Sequence, residues 1–222
     1  MPLARFAIFK CAEGNFCHKT DETAYICNEA LSKLEEKTRK EFDTKEAKML
    51  TEGNPVKFNG AVICRNGNRK TLSQPEKISK LNELDVTTVP KTQYVSERAR
   101  GAYISAVCRP DTSYAFSIAS MIQEPNEKYI KNLNKAIASM RSSAQIGLRF
   151  LPLHLDSLCI AVFVDAGFEA NPDSSSQLGF IVTLMYKHGY ANIIHYGSLK
   201  SKRVTRSVLA AELFAMVYGF DI

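Results

Sequence analysis

The sequence is 222 residues long, 45% hydrophobic and 23% charged, which is typical of a globular protein and not of a disordered or fibrous one. Lys and Arg exceed Asp and Glu by six, a mild excess that permits nucleic-acid binding without requiring it. No apolar run approaches the roughly 20 residues of a membrane span, and no signal peptide is evident. These features predict a soluble, intracellular protein, in the cytoplasm or nucleus, with no membrane partner.

The cysteines and histidines give no metal or disulfide pattern. The six cysteines, at positions 11, 17, 27, 64, 108 and 159, include no Cys-x-x-Cys pair, which favours reduced thiols over zinc or a disulfide framework. The four histidines, at positions 18, 154, 188 and 195, lack the spacing of metal ligands. The sequence contains no Ser–His–Asp, Cys–His or P-loop arrangement.

Near the N-terminus, residues 16–20 and 23–27 are predicted to form two short strands, with the acidic pair Asp21 and Glu22 between them. Tight hairpins favour Asn-Gly or Asp-Gly because their turns need positive φ angles. Two adjacent acids at a turn lower its stability, so the pair indicates either a wide, solvated surface loop or a functional acidic hairpin.

The next elements are a helix, a strand and a short helix. Asn28 can cap a helix over 29–42 that has a charged outer face. A strand over 61–64 follows, with a turn at Gly67 and then a short apolar helix near Ile78.

Residues 91–141 are predicted to be helical and basic, with eight Lys and Arg against four Asp and Glu. One helix begins at Arg109-Pro110-Asp111, where proline suits the first turn. Another begins at Pro125 and carries an apolar stripe of Ile130, Leu133, Ile137 and Met140. On a different face of that helix lie Lys128, Lys131 and Lys135, which form either a solvated surface or a nucleic-acid contact.

The C-terminal part contains three strand-length apolar runs, 158–164, 178–186 and 190–196, and then a helix over 208–216. A basic cluster precedes the helix and is suited to hold a phosphate: Lys200, Lys202, Arg203 and Arg206. Asp165 ends the first run, and Glu212 lies among apolar helix residues. A carboxylate beside a core is unfavourable unless it is paired or binds a metal. The two can share one divalent cation, or Asp165 can cap a turn while Glu212 faces water.

Four motifs of this C-terminal part occur in a characteristic order: Val164-Asp165-Ala166, Ser175-Ser176-Gln177-Leu178-Gly179, Ser198-Leu199-Lys200-Ser201-Lys202 and Ser207-Val208-Leu209-Ala210-Ala211-Glu212. Together they resemble the ribonuclease H domain of copia-type LTR retrotransposon polyproteins, with fungal elements most alike. The resemblance implies that Asp165 and Glu212 are the first two of that family's catalytic carboxylates and bind Mg²⁺ or Mn²⁺. The family's other acids would lie beyond Ile222, so the cation is expected to bind weakly.

The upstream part resembles the end of a copia-type reverse transcriptase palm entering its thumb, and Arg-Pro-Asp-x-x-Tyr-Ala at 109–115 is similar to a hallmark between the two domains. On that resemblance, Asp21 and Glu22 take the place of the paired catalytic aspartates. Glu22 departs from the pattern, since its carboxylate reaches one methylene further. The other palm aspartate would lie upstream of Met1.

The sequence therefore predicts an α+β chain in three parts: a palm and thumb remnant at 1–90, a helical thumb or connection region at 91–152, and the first half of a ribonuclease H-like mixed sheet with its helix at 153–222. The resemblance implies that the parent reaction is RNA-directed DNA synthesis and two-metal cleavage of RNA in RNA–DNA hybrids. The fragment, expected to be inactive alone, would partner a hybrid or other nucleic acid and the rest of a polyprotein. The alternative is a non-catalytic nucleic-acid-binding or co-opted interaction protein.

Overall fold

The computed structural model describes residues 48–87, 90–153, 158–186 and 189–222 in full, together with the backbone of three N-terminal strands. The chain divides into two compact units, 1–65 and 66–222. Among the described strands every pairing is antiparallel, and helices occupy much of the second unit, so the predicted α+β class is confirmed. The finer division into three parts stays a prediction, and the helix predicted over 29–42 lies outside the described residues.

The first unit contains two antiparallel strand groups. Strands β1 (Ala7–Cys11), β2 (Gly14–Lys19) and β3 (Glu22–Cys27) pair in that order, which confirms the two strands predicted around Asp21 and Glu22. Strands β4 (Val56–Phe58) and β5 (Ala61–Asn66) form a hairpin. Asn59 and Gly60, with φ angles of 51° and 70°, make its turn.

In the second unit a strand and four helices surround the main core. They are β6 (Arg69–Ser73), α1 (Pro75–Ile78), α2 (Lys91–Cys108), α3 (Ser113–Met121) and α4 (Glu127–Ser142). A 3-10 turn (Pro110–Thr112) leads into α3, as the position of Pro110 predicted. The fully buried residues of this core include Ile78, Leu81, Ile137, Met140 and Cys108.

The predicted apolar stripe of α4 is confirmed, since Ile130, Leu133, Ile137 and Met140 are all buried. Helix α4 begins two residues after Pro125, and the side chain of Asn126 accepts a hydrogen bond of 3.2 Å from the Tyr129 N–H as its N-cap.

Arg109 is the polar centre of this helical core and is 1% exposed. Its guanidinium binds both carboxylate oxygens of Asp111 at 2.9 and 2.7 Å, and donates to the main-chain carbonyls of Met140 and Ser143 at 3.4 and 3.2 Å. One buried cation therefore connects the end of α2, the start of α3 and the C-terminal end of α4. The Arg-Pro-Asp motif is thus explained by packing, since its arginine faces the protein interior.

The unit also contains a three-stranded sheet, called the second sheet below. Its strands β8 (Leu158–Gly167), β9 (Gln177–Tyr186) and β10 (Ala191–Lys200) form an antiparallel meander, and helix α5 (Val208–Phe220) follows. All three predicted strands and the predicted helix are present, each longer than the sequence indicated. The short strand β7 (Leu148–Phe150) pairs with β6, a contact that no local pattern predicted. Among the described residues, no helix combines the length and apolar character that crossing a membrane requires.

Replacing Arg109 with Leu should destabilise the fold by roughly 2–4 kcal/mol, because the buried carbonyls of Met140 and Ser143 lose their donor. The chain has no tryptophan, so urea unfolding is best followed by far-UV circular dichroism. Arg141→Leu, at an exposed position near the end of α4, is the matched control and should change stability by less than about 1 kcal/mol. Equal effects of the two substitutions would contradict the structural role of Arg109.

Asp111 should contribute to the acid sensitivity of the fold. Its hydrogen bonds from Arg109 lower the pKa of this carboxyl below its ordinary value of 3.8. The stabilisation is fully present above that value and is lost as the pH falls through the folded-state pKa. Asp111→Asn should therefore reduce the difference in urea midpoint between pH 6 and pH 3. An unchanged difference would show that Arg109 does not favour the ionised carboxylate.

Candidate functional site

The second sheet and α5 position both of the predicted ribonuclease H carboxylates. Asp165 lies within β8, opposite Gly179 of β9, and is exposed. The strand continues two residues past Asp165. The prediction that Asp165 ends this strand is therefore wrong. Glu212 lies near the start of α5, beside the fully buried Ala211, and is half-buried.

The packing of α5 decides which way Asp165 points. A Cβ atom on Gly219 would lie 2.6 Å from Cγ1 of Val164 and 3.0 Å from Cγ1 of Val162, so both valines face the helix. The register of β8 with β9 is continuous, and successive strand residues point to opposite faces. The Asp165 side chain therefore projects from the face away from α5, on the same side as Phe163.

The described residues do not provide a carboxylate set for Mg²⁺. The Asp165 side chain projects from the face of β8 away from α5, the helix that carries Glu212. Within the part of the chain that the structure describes, no three His, Cys, Asp or Glu side chains are grouped as metal ligands. A hard cation prefers several carboxylate oxygens at once. The shared cation site of Asp165 and Glu212 therefore stays a prediction, and no reaction step is derived from it.

The other predicted catalytic pair lies at the edge of what is described. Asp21 is outside the described residues. Glu22 is the first residue of β3, where its backbone pairs with Lys19 of β2. The predicted catalytic role of both residues is not tested by this geometry.

The basic loop at 201–206 connects β10 to α5 and is fixed by hydrogen bonds. The Ser201 N–H donates to the Ser176 carbonyl at 2.8 Å, and the Ser176 and Thr205 hydroxyls lie 2.6 Å apart. The Ser201 hydroxyl donates to the Arg203 carbonyl at 2.9 Å and accepts from its N–H at 3.2 Å. The Ser207 hydroxyl then caps α5 by accepting from the Ala210 N–H at 3.1 Å.

The cations of the predicted C-terminal basic cluster differ in their partners. The Lys200 ammonium pairs with Asp173. The Arg203 guanidinium lies over the Phe214 ring, 5.5 Å from its centroid, which leaves its charge available to an anion. Lys202 and Arg206 are exposed and form no ion pair with any described residue. Three positive charges thus lie on a hydrogen-bonded loop at the N-terminal end of α5.

The three lysines of α4 are exposed, as predicted, and line a shallow groove of about 790 Å³. Lys131 pairs with Glu127 one turn earlier, and Glu83 lines the same groove. Only Lys128 and Lys135 are without an acidic partner among the described residues. The net positive charge of this face is therefore smaller than the lysine spacing alone suggested.

Sequence reasoning recognised the Ser175–Gly179 motif without finding what it does. Gln177 is 3% exposed, and its amide donates to the hydroxyls of Ser117 in α3 and Ser198 in β10, each at 2.8 Å. Ser176 anchors the basic loop, as described above. Tyr196 donates to the Ser105 carbonyl at 2.7 Å, and burial raises the pKa of its hydroxyl. The motif residues thus position the loop and the sheet.

No protein-family model and no curated protein matches the chain.

Gly219→Ala tests the contact that orients β8. The added methyl group would overlap Val164 and Val162, so a loss of roughly 1–3 kcal/mol is expected even though alanine favours helix by about 1 kcal/mol. In a Val164→Ala background, which removes the overlapping Cγ1, the same substitution should be much less harmful. Urea unfolding of the four variants measures this. A stabilising Gly219→Ala would show that the helix does not approach β8 this closely.

Proposed function

We propose that the chain is part of a copia-type retrotransposon reverse transcriptase and ribonuclease H, and that these 222 residues serve to hold nucleic acid, with an RNA–DNA hybrid as ligand. What supports the family assignment is the antiparallel meander followed by a helix, with Asp165 and Glu212 on the elements where the resemblance places them. What supports nucleic-acid binding is the basic loop, whose Lys202, Arg203 and Arg206 have no acidic partner among the described residues.

The basic loop is the better candidate interface than the α4 lysines. It carries three available cations on a backbone that is already fixed, so little further ordering is needed when phosphates bind. The α4 face carries two available lysines beside two acids, Glu83 and Glu127. The N–H groups at the start of α5 add positive potential next to the loop.

Catalysis is not part of the proposal for these residues. Carboxylate sites of this reaction class act as units, and among the described residues no three His, Cys, Asp or Glu side chains are grouped as metal ligands. Mg²⁺ or Mn²⁺ is expected to bind Asp165 and Glu212 only weakly. Cleavage of an RNA–DNA hybrid by the purified chain, lost in Asp165→Asn, would restore the enzyme interpretation.

Two double variants of equal charge test the interface: Lys202→Gln with Arg206→Gln, and Lys128→Gln with Lys135→Gln. Both remove two cations, so general attraction to a polyanion changes equally. The loop pair should weaken binding of a fluorescent hybrid duplex more, and should reduce the slope of log affinity against log salt by roughly 2. Fluorescence anisotropy at 50–200 mM salt provides the measurement.

An equal or larger effect of the α4 pair would refute the loop as the main interface. Equal binding of the hybrid and of a sulfated polysaccharide would reduce the interaction to net charge. In both cases circular dichroism should confirm that the variants are folded, as expected for substitutions at exposed positions.

A further inference from the structure

The paired strands β6 and β7 lie in stretches of the chain that contain cations and no acids. Residues 66–75 include Arg69 and Lys70, residues 142–153 include Arg149, and neither range contains an Asp or a Glu. All three side chains are exposed. They form no ion pair with any residue that the structure describes, so no carboxylate in that part of the chain neutralises them.

The register of the two strands places both arginines on one face. Leu72 lies opposite Leu148, and both pack against the main core. Thr71 lies opposite Arg149, and successive strand residues point to opposite faces, so these two side chains point away from the core. Arg69 precedes Thr71 by two residues and shares its face. The set of Arg69, Thr71 and Arg149 is called the β6–β7 arginine face below.

The close approach of the two strands fixes the spacing of this face. A Cβ atom on Gly147 would lie 2.0 Å from the carbonyl oxygen of Leu72, so β7 pairs with β6 only because position 147 has no side chain. Arg149 and Arg69 are diagonal neighbours across the pair, which places their Cα atoms about 7–8 Å apart. Two guanidinium groups are thus carried side by side, with the Thr71 hydroxyl on the same face.

We propose that the β6–β7 arginine face binds the sugar–phosphate backbone of a nucleic acid, as a second contact in addition to the basic loop. A guanidinium donates two parallel hydrogen bonds to phosphate oxygens, and a threonine hydroxyl donates a further one. Two neighbouring arginines therefore suit two successive phosphates, which carry one charge each. The choice of ligand rests on the proposed function, but the site uses no residue of the basic loop.

The arginine face and the basic loop are separate sites. Asn192, at the start of β10, exchanges two hydrogen bonds of 2.8 Å with the main chain of Leu151, directly after β7. The basic loop follows the other end of β10, after Lys200. Because a strand advances about 3.3 Å per residue, the two sites lie roughly 25 Å apart. Loss of one site therefore leaves the contacts of the other in place.

Two single substitutions of equal charge test the site: Arg149→Gln, on the arginine face, and Lys70→Gln, on the opposite side of β6. Fluorescence anisotropy with a labelled hybrid duplex measures both at 50–200 mM salt. Arg149→Gln should weaken binding about fivefold and lower the slope of log affinity against log salt by roughly 1, because one phosphate contact is lost. Lys70→Gln should weaken binding less than about twofold. Equal effects of the two substitutions would overturn the proposal.

The loop pair Lys202→Gln with Arg206→Gln keeps this proposal distinct from the proposed function. Weaker binding in the loop pair but not in Arg149→Gln would refute the arginine face alone. Weaker binding in Arg149→Gln but not in the loop pair would refute the loop as the main interface and support the arginine face. Arg149→Lys, which keeps the charge and loses the paired donors, should retain the salt slope and bind less tightly than the unsubstituted chain.

Chemical modification gives a measurement that needs no substitution. Phenylglyoxal should modify Arg69 and Arg149 in the free chain, and the hybrid duplex should protect both, as followed by mass spectrometry of the peptides. Arg100, which is paired with Glu97, is the internal control and should react equally with and without the duplex. Anionic phospholipid vesicles at the same phosphate concentration should protect neither arginine of the face. No protection by the duplex, or equal protection by vesicles, would overturn the proposal.

Discussion

The helical part of the second unit depends on the hydrogen bonds of the buried Arg109 guanidinium. Its charge would be strongly unfavourable in the interior without the carboxylate of Asp111 and the carbonyls at the end of α4. The two carbonyls belong to residues 31 and 34 positions away from the arginine in sequence. The hydrogen bonds of this one guanidinium therefore fix the positions of three helix ends. The surrounding apolar core can then close without leaving the charge of Arg109 unpaired.

A few hydrogen bonds connect this helical core to the second sheet. Tyr196 donates to a carbonyl of α2, and Gln177 donates to a hydroxyl of α3, so one face of the meander is held against the helices. The other face receives α5 through its small residues. Ser176, next to Gln177, anchors the basic loop, and the same short motif therefore links the core to the proposed interface.

In the candidate site, ion pairs lower the number of positive charges that are available to a nucleic acid. Seven basic residues in two clusters were predicted to bind nucleic acid: Lys128, Lys131, Lys135, Lys200, Lys202, Arg203 and Arg206. Lys131 and Lys200 each pair with an acid, one within the same helix and one in a loop 27 residues away. The remaining cations are not equivalent, since those of the loop lie on a fixed backbone and those of α4 lie beside Glu83 and Glu127.

Local sequence determined the elements. Strand-length apolar runs predicted the strands of the meander, and the periodicity of Ile130, Leu133, Ile137 and Met140 predicted the buried side of α4, because both depend on neighbours within a few residues. The tertiary structure decided the rest. The pairing of β6 with β7 joins segments more than 70 residues apart, and the direction of Asp165 depends on which valines Gly219 contacts. The sequence predicted only that a helix begins at Arg109. The structure shows that Arg109 is buried and donates to the distant carbonyls of Met140 and Ser143. Such contacts follow from the three-dimensional approach of chain segments, which residue spacing does not record.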